Sequence, residues 1–218
     1  MLSAEITGLL DQTTTCAVCD VLMKRGRMQF MRSRIRLLSG QRLAGPALTI
    51  ERKALAFANP QKPRPNSLFI ETIETASAGT VVVLNGDPEH EAALWGGLLA
   101  AAAVRRGLGG VVADGPVRDL PEIIEMKLPL FGTGSIPPGQ AGILTLGAIN
   151  EPLACGGIVV HPGDFVYGDA NGVVVIPAGL EAEVLREAAA VEVRDQEATK
   201  RILAGASLQE TMKALGRG

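Results

Sequence analysis

Aromatic residues are scarce in this chain: one Trp, one Tyr and five Phe make 3% of its 218 residues. With so few rings it has no platform on which single-stranded nucleic acid could stack. Basic residues are not gathered either. Arg25, Arg27, Arg32, Arg34 and Arg36 are dispersed through a mixed segment, and the net charge is −2. Phosphate neutralisation needs clustered Lys and Arg, so nucleic-acid binding is disfavoured. Three cysteines, Cys16, Cys19 and Cys155, cannot form a disulfide framework. Cys16-x-x-Cys19 lacks a second CxxC or a His pair, and it reads as small packing residues of a helix rather than half a zinc site. No apolar run reaches spanning length, and no leader pattern is visible, so a cytoplasmic, membrane-free protein is expected. No G-x-G-x-x-G follows a strand, which removes support for a dinucleotide. Gly132-Thr133-Gly134-Ser135 lacks the lysine of a phosphate-binding loop.

What is abundant is Gly (26 residues) and aliphatic side chains, within a hydrophobic fraction of 47%. The length suits one domain over residues 1–218 with a core of Val, Leu, Ile and Ala. Periodicity predicts helices over 3–10, 14–25 and 67–76, a long one over 179–204 and a shorter one over 206–215. The segment 179–215 is expected in subunit contacts. Strands are predicted within 32–50 and at 81–84, 111–112, 128–131, 143–149, 157–160, 163–166 and 172–176, with a tight turn at Asn171-Gly172. Residues 59–66, with three prolines, read as a loop. Interleaved helices and strands, with strands dominating the later half, predict a layered α/β sandwich with a mixed sheet.

The chain is organised around residues 95–122, WGGLLAAAAVRRGLGGVVADGPVRDLPE. Leu94, Leu98, Leu99, Ala102 and Ala103 fall at helical spacing, and Gly107 stops that helix behind Arg105 and Arg106. Val111 and Val112, between glycines, make a buried strand. Arg118 and Asp119 then emerge near the carboxyl end of that strand, where α/β folds place their chemistry. Gly96, Gly97 and Leu98 lie at or just before the helix N-terminus, which can receive a carboxylate. An oxygen-binding metal on Asp119, the Arg118 guanidinium and backbone N–H groups would together hold a 2-oxo acid. Asp87 and His90 follow the strand at 81–84; a lone His beside an Asp carries no assignment.

These residues resemble a known family. Trp95-Gly96, Leu98-Leu99-Ala100, Arg106-Gly107, Gly110, Asp114-Gly115 and Arg118-Asp119 are similar to the RraA-like family, which includes the 4-hydroxy-4-methyl-2-oxoglutarate/4-carboxy-4-hydroxy-2-oxoadipate (HMG/CHA) aldolases. The family hallmark is a Gly, about twenty residues, then Arg-Asp and an acid shortly after. Gly97, Arg118, Asp119 and Glu122 fit it. Gly45-Pro46-Ala47 with Thr49, Pro162-Gly163-Asp164, Gly168-Asp169 and the run Gly172 to Pro177 extend the resemblance over roughly residues 14 to 200.

The resemblance implies an α/β/β/α sandwich like the phosphohistidine swivelling domain, with C-terminal helices, assembled as a homotrimer or hexamer. It implies Mg²⁺ or Mn²⁺ on Asp119, Arg118 over the carbonyl oxygen of a pyruvyl group, and the N–H groups around Gly96, Gly97, Leu98 and Leu99 on its carboxylate. The implied activity is a class II pyruvate aldolase cleaving a 4-hydroxy-2-oxo diacid, with oxaloacetate decarboxylation through the same enolate. The alternative is a non-catalytic regulator that binds ribonuclease E. A methyltransferase is rejected, because no glycine-rich strand–loop for S-adenosylmethionine is visible. One departure stands out: many active members carry Asp or Glu where this chain has Gly97. The acids that could replace it are Asp87, Asp114, Glu122 or one from a neighbouring subunit's C-terminal helix.

Overall fold

The structure is a computed structural model that describes residues 2–55, 67–86 and 91–216. Asp87, His90 and the proline-rich residues 59–66 lie outside the described residues. Two helices open the chain, α1 (Ala4–Leu10) and α2 (Thr15–Lys24), followed by strands β1 (Arg36–Ser39) and β2 (Leu43–Ala54). Then come α3 (Ser67–Thr75), β3 (Val81–Asn85), α4 (Gly97–Arg106), β4 (Gly110–Asp114), α5 (Leu120–Glu125) and β5 (Leu130–Gly132). Strands β6 (Leu144–Ile149), β7 (Leu153–Cys155), β8 (Ile158–Val160), β9 (Phe165–Asp169) and β10 (Gly172–Ile176) precede α6 (Glu181–Leu203) and α7 (Leu208–Ala214).

Strand β2 joins two sheets. Its residues 43–46 pair antiparallel with β9, and its residues 47–50 pair parallel with β3. The switch falls at Pro46, which has no N–H to donate to a ladder. On one side the order runs β2-β3-β4-β5 in parallel, with β1 antiparallel beyond β5 and β6 antiparallel along residues 50–54 of β2. On the other side β9 and β10 form a hairpin. Its turn lies one residue earlier than Asn171-Gly172, because Asp169 Oδ1 accepts the Asn171 N–H at 2.8 Å and Gly172 already pairs with Asp169.

Strand alternation builds the layers. Val82, Leu84, Val111 and Ala113 face Phe69 and Ile73 of α3, Ala100 and Ala103 of α4, and Ile123 of α5. The alternate residues Val81, Val83 and Val112 meet Val166, Val173 and Val175 between the sheets. Phe165, Tyr167, Val174 and Ile176 pack on α1, α2 and α6 through Ile6, Val18, Leu22, Val184, Leu185 and Ala188. The result is the layered α/β sandwich with a mixed sheet that the sequence predicted, in the α/β/β/α arrangement with C-terminal helices that the resemblance implied. Among the described residues no helix is long and apolar enough to cross a membrane.

The helix over the central stretch starts at Gly97, where Gly96 and Gly97 predicted its N-terminus, and Leu94, which shares its apolar spacing, lies before it. Leu94 N–H donates to Pro116 O, and Trp95 O accepts the Arg118 N–H, so this backbone is committed to the neighbouring loop. The buried face of α4 is then Ala100 and Ala103, and Leu98 is 91% exposed. Cys16 is exposed rather than packed.

Strand β2 and the turn before β3 approach closely at Gly45, where a Cβ would lie 2.0 Å from Gly79 O. Gly45→Ala is expected to cost about 3 kcal/mol and to lower Tm by about 6–12 °C. Thermal denaturation followed by circular dichroism checks this, and an unchanged Tm would contradict the close approach.

Candidate active site

Three chain segments meet beyond the carboxyl ends of the parallel strands. They are residues 93–97 before and at the start of α4, residues 115–119 after β4, and residues 133–141 after β5. Backbone hydrogen bonds lace them together. Leu94 N–H donates to Pro116 O at 2.8 Å, Arg118 N–H to Trp95 O at 2.9 Å, Val117 N–H to Gly134 O at 2.9 Å, Ile136 N–H to Val117 O at 2.8 Å and Ala93 N–H to Pro138 O at 2.9 Å. Loops that exchange this many main-chain bonds form a rigid support.

Asp119 is held on that support with φ 56° and ψ 35°, a left-handed conformation that Asp tolerates better than bulkier residues. The turn aims its carboxylate at the start of α4. Gly96, the N-cap of α4, has no side chain to satisfy the first helical N–H groups, and Asp119 Oδ2 accepts the Gly97 N–H at 3.0 Å from outside the helix. Arg118 Nε donates to the same oxygen at 3.2 Å. The Leu98 and Leu99 N–H groups have no intrahelical acceptor, since the first α-type bond runs from Ala100 N–H to Gly96 O.

A cleft of about 250 Å³ opens here, lined by Trp95, Gly96, Gly97, Leu98, Leu99, Arg118 and Asp119. Every site residue expected from sequence therefore lies on one cleft. The segment at 139–141 (Gly139, Gln140 and Ala141) closes its far wall, which the sequence reading missed. The available signal was Pro137-Pro138-Gly139. A Cβ at residue 139 would come within 2.7 Å of Arg118 Nη1, so glycine there makes room for the guanidinium.

The acids that could stand in for one at Gly97 separate in space. A Cβ built on Gly97 meets Glu122 Oε2 at 3.4 Å and Asp119 Oδ2 at 3.5 Å. Glu122, one turn into α5, thus reaches the space that a side chain at residue 97 would enter. Asp114 instead lines a neighbouring cleft, paired with Arg34 at 2.6 Å and accepting the Gly156 N–H at 2.8 Å.

Among the described residues no group of three or more His, Cys, Asp and Glu is placed to hold a metal ion. A cation here would rest on the Asp119 carboxylate, with water and ligand oxygens completing its shell. That donor set suits Mg²⁺ or Mn²⁺, which accept few protein carboxylates and keep several waters, and it does not suit zinc.

The fold has known counterparts. A structure from Pseudomonas syringae pv. tomato superposes with a TM-score of 0.85 at 27% identity, covering 98% of this chain and 95% of that one. RraAS2 of Streptomyces coelicolor, from a family of ribonuclease ES inhibitors, superposes with a TM-score of 0.76 at 25% identity, covering 92% and 97%. In sequence, a provisionally named 4-hydroxy-4-methyl-2-oxoglutarate aldolase of Halalkalibacterium halodurans is 32% identical over 162 residues, 73% of this chain and 71% of its own length. The family profile described as Aldolase/RraA matches residues 15–175. The chain belongs to the RraA-like family.

Proposed function

We propose that this protein is a divalent-metal-dependent pyruvate aldolase that cleaves a 4-hydroxy-2-oxo diacid and also decarboxylates oxaloacetate. The observation that carries this reading is the convergence of Arg118, Asp119 and the N–H groups of Leu98 and Leu99 on one cleft. A pyruvyl group needs those three things: donors for its carboxylate, a cation for its carbonyl oxygen and a carboxylate that can hold Mg²⁺ or Mn²⁺.

The Leu98 and Leu99 N–H groups take the 2-oxo acid carboxylate at the helix N-terminus. Arg118 donates to the carbonyl oxygen and stabilises the negative charge that grows there as the C3–C4 bond breaks. The divalent cation, when bound at Asp119, adds Lewis-acid stabilisation of that same oxygen. Glu122 receives the C4 hydroxyl proton, directly or through a water, while the bonding electron pair moves onto the pyruvyl fragment. Protonation of C3 then releases pyruvate. The exposed Val193, Leu203 and Leu208 of α6 and α7 support assembly as a homotrimer or hexamer through the C-terminal helices.

Two assays test the reading. Pyruvate release from 4-hydroxy-4-methyl-2-oxoglutarate is expected with Mg²⁺ or Mn²⁺ and not with EDTA. Glu122→Gln is expected to lower kcat by about 10²-fold with KM within threefold. An unaltered kcat in that variant would remove Glu122 from the proton transfer. The likeness to Streptomyces RraAS2 favours a second reading, a protein-binding regulator of a ribonuclease. That reading predicts ribonuclease inhibition and no pyruvate from any 2-oxo acid.

A further inference from the structure

Arg52 stands in the middle of β2, 1% exposed, and among the described residues its Nε, Nη1 and Nη2 have no hydrogen-bond partner. Its neighbours in sequence do not serve it. Glu51 lies on the opposite side of the strand, accepting the Ala148 N–H at 3.0 Å and pairing with Lys53 at 3.1 Å. The Asn85 side chain takes the Arg52 backbone N–H at 2.7 Å, not the guanidinium. The guanidinium lies 4.7 Å above the centre of the Phe69 ring. A cation–π contact returns only part of the hydration a charge gives up on burial. Burial lowers the Arg52 pKa to about 10, which still leaves it charged at neutral pH.

The unpartnered charge is connected to the cleft. The Phe69 ring packs edge-on against Trp95, with centroids 6.5 Å apart at 85°, and Trp95 lines the cleft beside Arg118. Arg52 pairs along the sheet with Leu146 of β6, the strand that follows cleft residues Gln140 and Ala141. Trp95 Nε1 and Gln140 Oε1 are likewise buried without partners. Of the buried side-chain atoms without a hydrogen bond among the described residues, only Glu181 Oε2 and Asp114 Oδ1, which is ion-paired with Arg34, lie outside Arg52, Trp95 and Gln140. Unmet hydrogen-bonding capacity thus lies on the cleft wall at Trp95 and Gln140 and, behind Trp95 across the Phe69 ring, at the Arg52 cation, which does not itself line the cleft.

We infer that Arg52 is the recognition residue for the second carboxylate of a dicarboxylic 2-oxo acid. This inference rests on the proposed aldolase reading, in which Arg118 and the start of α4 hold only the pyruvyl end. A planar fork with five free N–H donors suits bidentate capture of a carboxylate. Its burial means that entry of the diacid shifts the Phe69–Trp95 pair. The single Trp of the chain therefore reports binding by its fluorescence.

The test compares pyruvate, with one carboxylate, and 2-oxoglutarate, with two, in the presence of Mg²⁺. In wild type both ligands change Trp95 fluorescence. Arg52→Met is expected to raise the Kd for 2-oxoglutarate at least 30-fold and to change that for pyruvate less than threefold. Arg52→Lys, which keeps the charge without the fork, is expected to hold the 2-oxoglutarate Kd within tenfold of wild type. The ligand-free Arg52→Met protein should melt at or above the wild-type Tm, because an unpartnered buried charge has been replaced by an apolar side chain. Equal loss of both ligands, or a lowered Tm, would make Arg52 a structural residue and overturn the inference. An unchanged 2-oxoglutarate Kd would overturn it and leave the aldolase reading standing. If wild type binds neither ligand and releases no pyruvate, the aldolase reading falls and the inference falls with it.

Discussion

Asp119→Ala is expected to lower metal-dependent pyruvate release by about 10³-fold, or ~4 kcal/mol of transition-state stabilisation. On the proposed reading this carboxylate is the sole protein ligand of the cation, so no neighbour compensates for it. Among the described residues, no other His, Cys, Asp or Glu joins it in a metal-binding group. The fold should survive the change. Asp119 makes no side-chain cap to its own helix, and its loss leaves the Gly97 N–H to water. That is one part-buried hydrogen bond, with the exposed contact to Arg118 Nε adding little, so the cost is about 1 kcal/mol and Tm stays within about 4 °C of wild type. Steady-state assays across Mg²⁺ concentrations, with calorimetric titration of Mn²⁺, check both halves. Retained Mn²⁺ affinity in the variant would move the metal elsewhere.

Arg118→Ala is expected to reduce kcat/KM by about 30- to 10³-fold, or ~2–4 kcal/mol, with metal affinity kept. Its side chain is 47% exposed and its contact with Asp119 is a surface ion pair, worth little to stability. The loss should therefore be catalytic. Arg118→Lys should recover only part of it, because an ammonium lacks the fork that reaches the carbonyl oxygen and Asp119 together. Since both residues act on one developing charge, the double variant should be little worse than Asp119→Ala alone. Full additivity would mean that the two side chains work independently.

Much of the architecture is legible in local pattern. Val81 to Leu84 and Val111-Val112, each bounded by glycine, read as buried strands because a strand covered on both faces carries no polar alternation. Arg118-Asp119 then follows the second strand after a short loop, where the parallel sheet exposes its carboxyl edge. The start of α4 is legible in Gly96-Gly97, but the backbone just before it is harder to read. Leu94 and Trp95 continue the helical spacing of the apolar residues, yet their backbone groups bond to Pro116 and Arg118, a long-range choice that periodicity does not carry. The wall at 139–141 is hidden for a similar reason: its residues are small and unremarkable until Gly139 is seen to pass under Arg118. Arg52 is the clearest case. It stands between two other charged residues, Glu51 and Lys53, and nothing in that run marks it for burial. Only α3, laying Phe69 across it, turns it into a buried cation.

The most direct test of the central claim is pyruvate release from 4-hydroxy-4-methyl-2-oxoglutarate and from oxaloacetate, each with Mg²⁺ or Mn²⁺ and again with EDTA, for wild type and Asp119→Ala. The account predicts metal-dependent pyruvate from wild type, abolished by EDTA and by the substitution. Pyruvate formed equally by both proteins, or by neither under any metal condition, would contradict it.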